Sequence, residues 1–451
     1  MMDRISHTDR TATSTRAPAT TLSRRSLLRL SAGATVATTA AGFAAAEEWN
    51  GSLADWGEVR DLFALSPDTI HMSAMLLSSH PAPVRNAIAR HREALDADPV
   101  AYLESRGEEL TQASREAAAR YLGMHSVHIV LTDSTTMGLG LIYTGLRLRS
   151  GQEVLTTEED YYVTHVSLRH AAERSGASLR RIALYDEAAS ADPDEIVERI
   201  AAEIRPETRL LALTWVHSST GLKMPVPAIS AALREINAER DEGNEVLFGL
   251  DAVHGFGVET ANFFELGVDY LMAGCHKWLF GPRGTGIVAI GERGLSAVRP
   301  TIPSFDDSEV FSAWYAGRVP RGRNSGARMT PGGFKAFEHY WALPEAFRLH
   351  ADIGRERVAA RTHALASAMK AALEGIDGVV VRTPRSEALS SGIVAFDVDG
   401  LASSAVVSRL RVRGVIATVA PYPSAHVRLT PCIRNSEDEI DRAARHLRDS
   451  M

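Results

Sequence analysis

The stretch VLFGLDAVHGFGVETANFFELGVDYLMAGCHKWLFGPRGTG, residues 246–286, decides how this chain is read. Two apolar runs, Val246–Leu250 and Val268–Ala273, have the length and composition of buried strands, and each ends on polar residues. The first delivers Asp251 and His254; the second delivers His276 and Lys277. In an open α/β sheet ligands bind beyond the carboxyl ends of the strands, so the pattern predicts that both pairs face one site. Alone, Asp251 reads equally well as a strand-end turn residue and Lys277 as a solvated surface lysine. Together, among Gly274, Gly281, Gly284 and Gly286, they read as an amine set up to attack a carbonyl.

Working outward, Val127–Leu131 is a β-rich run followed by Thr132-Asp133-Ser134-Thr135-Thr136 and an apolar periodic stretch to Leu146. Strand, polar turn and helix aim backbone N–H groups and a helix dipole at an anion; an ordinary N-cap explains the same residues without a ligand. Leu210–Val216 reads as another buried strand, ending at His217-Ser218-Ser219-Thr220-Gly221. A polar, arginine-rich segment, Pro300–Asn324, reads as a loop whose Arg318, Arg321 and Arg323 are candidates to meet an anionic substrate. Thr330-Pro331 has the signature of a helix start, threonine as cap and proline in the first turn.

The first 46 residues have a different character. They carry six arginines, no lysine and only Asp3 and Asp9 as acids, then a mildly apolar run ending in Ala44-Ala45-Ala46. A basic region, an apolar region and small residues read as an export signal. Ser23-Arg24-Arg25-Ser26-Leu27-Leu28 resembles the twin-arginine motif. The apolar run is too weak and short for a stable membrane anchor, which needs ~20 apolar residues. Removing this leader takes +4 from a chain of net charge −7 and leaves about −11, which argues against nucleic acid or anionic membrane as a partner. The expected location is periplasmic or extracellular.

About 405 residues remain (451 − 46), with 45% hydrophobic and 23% charged content over the whole chain, ordinary for a soluble globular protein. Cys275 and Cys432 are the two cysteines, so there is no disulfide scaffold.

The D-x-x-H at Asp251–His254 and the G-C-H-K-W at Gly274–Trp278, with 26 residues from acid to lysine, resemble the core of the class V aminotransferases. These are pyridoxal 5'-phosphate (PLP) enzymes of fold type I, whose branches include cysteine desulfurases and isopenicillin N epimerase-like proteins. The resemblance runs from about His71 to the C-terminus. It implies an α/β fold with a mostly parallel seven-stranded sheet in a large PLP-binding domain, residues 47–332 including an N-terminal arm. A smaller C-terminal α/β domain, 333–451, would follow.

The resemblance also implies roles. Lys277 carries the cofactor and shuttles protons, while a carboxylate such as Asp251 keeps the pyridine nitrogen protonated so that the ring accepts electrons. His254 is the candidate for the ring's phenolic oxygen, and His276, Thr135 and Thr136 for the phosphate. His217 and Ser218 compete for a position that holds asparagine in the desulfurases. Glu159 stands where many relatives stack a histidine on the ring, which leaves Tyr161 or Tyr162 to stack. Arg428, in His426-Val427-Arg428-Leu429-Thr430-Pro431, is implied as the ligand of the substrate carboxylate, for which a guanidinium fork is suited. Thr330 is implied near the phosphate of a partner subunit, so a homodimer is expected.

Desulfurases carry a nucleophilic cysteine ahead of this arginine; between Gly414 and His426 there is none. The expected activity is transamination of a small-molecule amino acid or peptide-borne amine, with epimerisation or a lyase reaction as alternatives and a non-catalytic PLP-fold binding module as the reading of another class.

Overall fold

The computed structural model describes residues 53–451; the stretch expected to be an export leader lies outside them. In chain order the strands are β1 (Ile70–His71), β2 (Ile129–Thr132), β3 (Glu153–Thr157), β4 (Ser178–Ile182), β5 (Thr208–Thr214), β6 (Leu247–Asp251) and β7 (Tyr270–Gly274). They continue with β8 (Gly286–Ile290), β9 (Val379–Val381), β10 (Val394–Val398), β11 (Val415–Ile416), β12 (Thr418–Val419) and β13 (Val427–Leu429).

Among the described residues, seven of these form one sheet in the order β2-β8-β7-β6-β5-β3-β4. Only β8 runs against its neighbours, pairing antiparallel with β2 and β7; the others pair in parallel. This is the mostly parallel seven-stranded sheet expected from the sequence. Its central strands read as continuous apolar runs because helices cover both faces. Side chains alternate between the two cores with period two: Leu271 and Ala273 of β7 join one, Tyr270 and Met272 the other.

The remaining chain builds a second layer. Strands β12-β13-β10-β9 form an antiparallel sheet, backed by helices Arg355–Glu374, Ser403–Val412 and Glu437–Arg448 around a separate apolar core. Helix Glu437–Arg448 starts at a capping box, Ser436 with Glu439, a signature visible in the sequence. The helix Phe337–Ile353 packs instead on Ala82–Ala97 and Pro99–Leu122 of the first body, and the chain crosses over at Gly354, whose φ is 95°. Among the described residues no helix is long and apolar enough to cross a membrane.

Two local expectations fail. Thr330 does not start a helix: it ends the short helix Gly326–Met329, and the next begins at Phe337. Its hydroxyl is taken up by Gly326 O, to which it donates at 2.8 Å, and by Leu131 N, from which it accepts at 3.2 Å, so it caps nothing downstream. The Pro300–Asn324 segment is not a plain loop either, since it contains the helix Ser308–Tyr315. Arg318 grips Glu309 there in a fork, at 2.6 and 3.0 Å.

The two bodies are joined at Glu259. Its carboxylate accepts from Lys223 at 3.0 Å, from His363 at 2.9 Å and from Ser391 at 2.6 Å, which brings the loops after β5 and β6 onto the second layer. These partners hold its pKa below the usual range against the pull of burial. Glu259→Ala would strand Lys223 beside the second layer, and loss of one partner from a buried pair costs about 3–5 kcal/mol. Urea unfolding should show a loss of that order; a loss below about 1 kcal/mol would mean the cluster behaves as a surface pair.

Candidate active site

Strands β5, β6 and β7 run side by side, with Thr214 opposite Asp251 and Asp251 opposite Met272. Their carboxyl ends therefore release His217, Asp251 and Lys277 at one level of the sheet. Asp251 is the last residue of β6, 3% exposed, and accepts from the Val253 N–H at 3.1 Å. Burial pushes its pKa up to about 6, with the Val253 bond and the charge of Lys277 opposing.

Lys277 sits in the turn after β7. That turn is closed by Phe280 N–H to Lys277 O at 3.1 Å and Gly281 N–H to Cys275 O at 2.8 Å. Phe280 takes a left-handed φ of 57° to do so, a conformation that costs a non-glycine residue of order 1 kcal/mol. Burial of the amine pushes its pKa down to about 8; Asp251 pulls it up and Arg428 pushes it further down. Its Nζ lies 3.4 Å from His254 Nε2, so the acid, the histidine and the lysine that the sequence paired are one cluster.

A second group of residues forms an anion cradle. Ser134 caps the helix Thr135–Gly145 by accepting from Met137 N–H. Next to it, the Thr135 hydroxyl and His276 Nδ1 are buried with no partner. A Cβ on Gly274 would stand 3.1 Å from each of those two atoms and 2.8 Å from His276 Cε1. The missing side chain is thus what leaves room between a helix N-terminus, a hydroxyl and an imidazole, as a bound phosphate requires. Thr136 lies on the exposed side of the same turn.

The third wall comes from the second layer. Arg428 on β13 is 3% exposed, and its donors reach Thr418 Oγ1 (3.2 Å), Ser218 O (2.7 Å) and Val419 O (2.9 Å). Among the described residues no carboxylate pairs with it, and burial lowers its pKa to about 10. A buried guanidinium held by neutral oxygens retains the capacity to bind an anion.

Ser218 Oγ shares a 2.7 Å bond with the Tyr422 hydroxyl, and the Tyr422 ring lies 5.7 Å from that of Tyr161. Tyr162 is mostly exposed, so Tyr161 is the tyrosine that turns toward the cluster. His217 is buried, bonded through Nδ1 to Tyr185 Oη at 2.8 Å, with Nε2 unpaired. Glu159 accepts from the Leu184 N–H at 3.0 Å, and burial raises its pKa. Thr330 is bound up within the fold as described above.

Tyr422 and Asp160 were not singled out from the sequence. Asp160 is 1% exposed, with Oδ2 accepting from Thr156 Oγ1, Thr157 N and Thr157 Oγ1, and Oδ1 unpaired. The run Thr156-Thr157-Glu158-Glu159-Asp160 looks like a solvated acidic turn, and only the closing of the two threonines on the carboxylate shows otherwise. Pro421-Tyr422-Pro423 reads as a hairpin turn; its tyrosine reaches the site because β12 and β13 pair with Thr418 opposite Arg428.

A family model described as aminotransferase class-V matches residues 78–441. The isopenicillin N epimerase of Streptomyces clavuligerus is 26% identical over 400 residues, 87% of this chain and 98% of that protein. That of Amycolatopsis lactamdurans is 26% identical over 412 residues, with the same coverage. Among solved structures, a mutant of C-DES with glycine covalently linked to its PLP cofactor superposes with a TM-score of 0.78 at 22% identity, over 86% of this chain and 99% of that one.

Asp251 titrates higher folded, at about 6, than unfolded, at about 3.9. The folded chain therefore binds more protons between pH ~4 and ~6, and stability falls as pH rises through that window. In the cofactor-free protein Asp251→Asn should flatten this slope and melt higher at pH 9, where Lys277 is uncharged. Thermal melts from pH 4 to 9 measure it; parallel curves for the two proteins would remove Asp251 from the cause.

Proposed function

Because the chain belongs to the class V aminotransferase family, we propose that it moves the amino group and α-proton of an amino acid or peptide-borne amine, as an aminotransferase. The family is PLP-dependent, and PLP supplies the electron sink for the α-carbon. The residues fit that group: Asp251 would hold the pyridine nitrogen, His254 the phenolic oxygen, and Thr135, His276 and the gap at Gly274 the phosphate. Tyr161 is the candidate to stack on the ring.

One observation carries the reading. A half-buried lysine with a pKa lowered to about 8 stands within the field of a buried arginine that, among the described residues, no carboxylate pairs with. An amine near neutrality is a nucleophile and a proton shuttle at working pH. The arginine gives the substrate carboxylate an orientation, and so fixes which α-bond faces the lysine. The Tyr422–Ser218 pair closes the wall beside it. A non-catalytic binding module has no use for a lysine held this way.

Epimerisation is the second reading, favoured by the likeness to isopenicillin N epimerases over 98% of their length. A lyase outcome uses the same residues. A desulfurase outcome is disfavoured: no cysteine lies between Gly414 and His426, and burial raises the thiol pKa of both Cys275 and Cys432. We further propose a homodimer, supported by the exposed Phe311, Trp314, Tyr315, Val319 and Phe334, a cluster in sequence of the kind that marks contact surfaces.

The test is the absorbance spectrum of purified protein and product analysis with a panel of amino acids in deuterated water. A lysine-linked cofactor band, lost in Lys277→Ala, with release of a keto acid supports transamination. Deuterium at the α-carbon without keto acid overturns it in favour of epimerisation.

Export by the twin-arginine route is also proposed, from Arg24-Arg25 and the apolar run after them. Replacing both arginines by lysine should leave the protein in the cytoplasmic fraction of a host that carries that route. Unchanged export would point to another signal.

A further inference from the structure

Trp278 follows the working lysine, and its indole is turned into the cluster. It is 1% exposed, and its Nε1–H donates to His254 Nδ1 at 3.3 Å. An indole nitrogen has a hydrogen and no lone pair to offer, so His254 Nδ1 must be the acceptor. A neutral imidazole has one acceptor nitrogen and one N–H, which puts the hydrogen of His254 on Nε2. That nitrogen is the one 3.4 Å from Lys277 Nζ.

We propose that Trp278 is a positioning residue that locks His254 as its Nε2–H tautomer, so that the imidazole presents Lys277 with a donor and never an acceptor. A donor facing the amine stabilises its lone pair and repels its ammonium form. The other tautomer would face the lysine with a lone pair, accept from the ammonium and hold it protonated. Trp278 thereby sets the pH at which Lys277 becomes a nucleophile.

The other charged groups around the pair act whichever tautomer is present. Asp251 favours charged Lys277, while Arg428 opposes it; Lys277, Arg428 and His276 all disfavour a cationic His254, beyond the effect of its burial. Of these only a charged Lys277 bears on the choice between the two neutral tautomers, since an ammonium 3.4 Å from Nε2 favours a lone pair there; the indole opposes it. The indole is held from the far side: a Cβ on Gly392 would lie 2.5 Å from Trp278 Cη2 and 2.7 Å from Cζ3. The ring therefore occupies a slot that the segment before β10 leaves open, and the second layer supports the tautomer from outside the site.

This inference rests on Lys277 being the working amine, but not on the outcome of the reaction. Its test uses the full-length chain freed of cofactor, so a wrong assignment of transamination would leave it untouched. Acetic anhydride is pulsed from pH 6 to 10.5, and acetylation of Lys277 is followed by peptide mass spectrometry. The unsubstituted protein should show a midpoint at about 8. In Trp278→Phe the midpoint should rise by a unit or more, while in a His254→Ala background the same substitution should add no shift. A rise that persists in that background means Trp278 acts by excluding water, and an unchanged or lower midpoint means it does not act on the lysine; either result overturns the proposal. If Trp278→Phe does not melt cooperatively, Gly392→Ala, which displaces the indole without removing it, should give the same rise, and an unmoved midpoint there overturns the proposal equally.

Discussion

An amine that must be uncharged, and a carboxylate that must stay close to it, are the constraint on which this structure turns. Both are costly to bury, and each would hold the other in its charged form if they were left as a simple pair. Burial raises Asp251 and lowers Lys277, while their mutual attraction opposes both shifts. For the lysine burial outweighs Asp251, and Arg428 pushes the same way as burial, since like charge disfavours a second cation nearby. The arginine thus acts on the amine with no substrate present, so on the proposed reading the layer that brings it would do more than recognise a carboxylate.

The rest of the fold follows from delivering these groups to one level. Parallel pairing of β5, β6 and β7 ends three strands together, and the covering helices keep water from their flanks. Close approach needs small residues at particular points. At Gly257, with φ 92°, a Cβ would stand 2.6 Å from Leu279 N and 2.7 Å from Trp278 C, so the turn after β6 can lie directly on the turn that carries the lysine. The left-handed Phe280 is a local strain of the kind found where geometry is over-determined by its surroundings.

Much of this was legible in the sequence, because buried parallel strands leave apolar runs and their ends leave polar residues. Asp251, His254, His276 and Lys277 stood out for that reason, and the strand–cap–helix around Ser134 was equally visible. What stayed hidden depends on pairing across long distances. Tyr422 is one residue of a proline-flanked turn until the register of β12 on β13 brings it beside Ser218, more than two hundred residues earlier. Asp160 looks like surface acid until two threonine hydroxyls close on it. The reading of Thr330-Pro331 as a helix start failed because a forward cap competes with other bonds: the carbonyl of Gly326 one turn back and the distant Leu131 N–H took the hydroxyl.

The hairpin of β12 and β13, strands of two and three residues, carries Arg428 on its second strand and Tyr422 in the turn between them, apart in sequence from every residue assigned to the cofactor. On the proposed reading, the groups that would hold the cofactor and those that would meet the substrate are thereby encoded in separate stretches of the gene. A change in the length or composition of this one short turn can redraw the pocket while the lysine, its acid and the phosphate cradle stay as they are. A lineage built on such a division can try new substrates without first losing its catalyst.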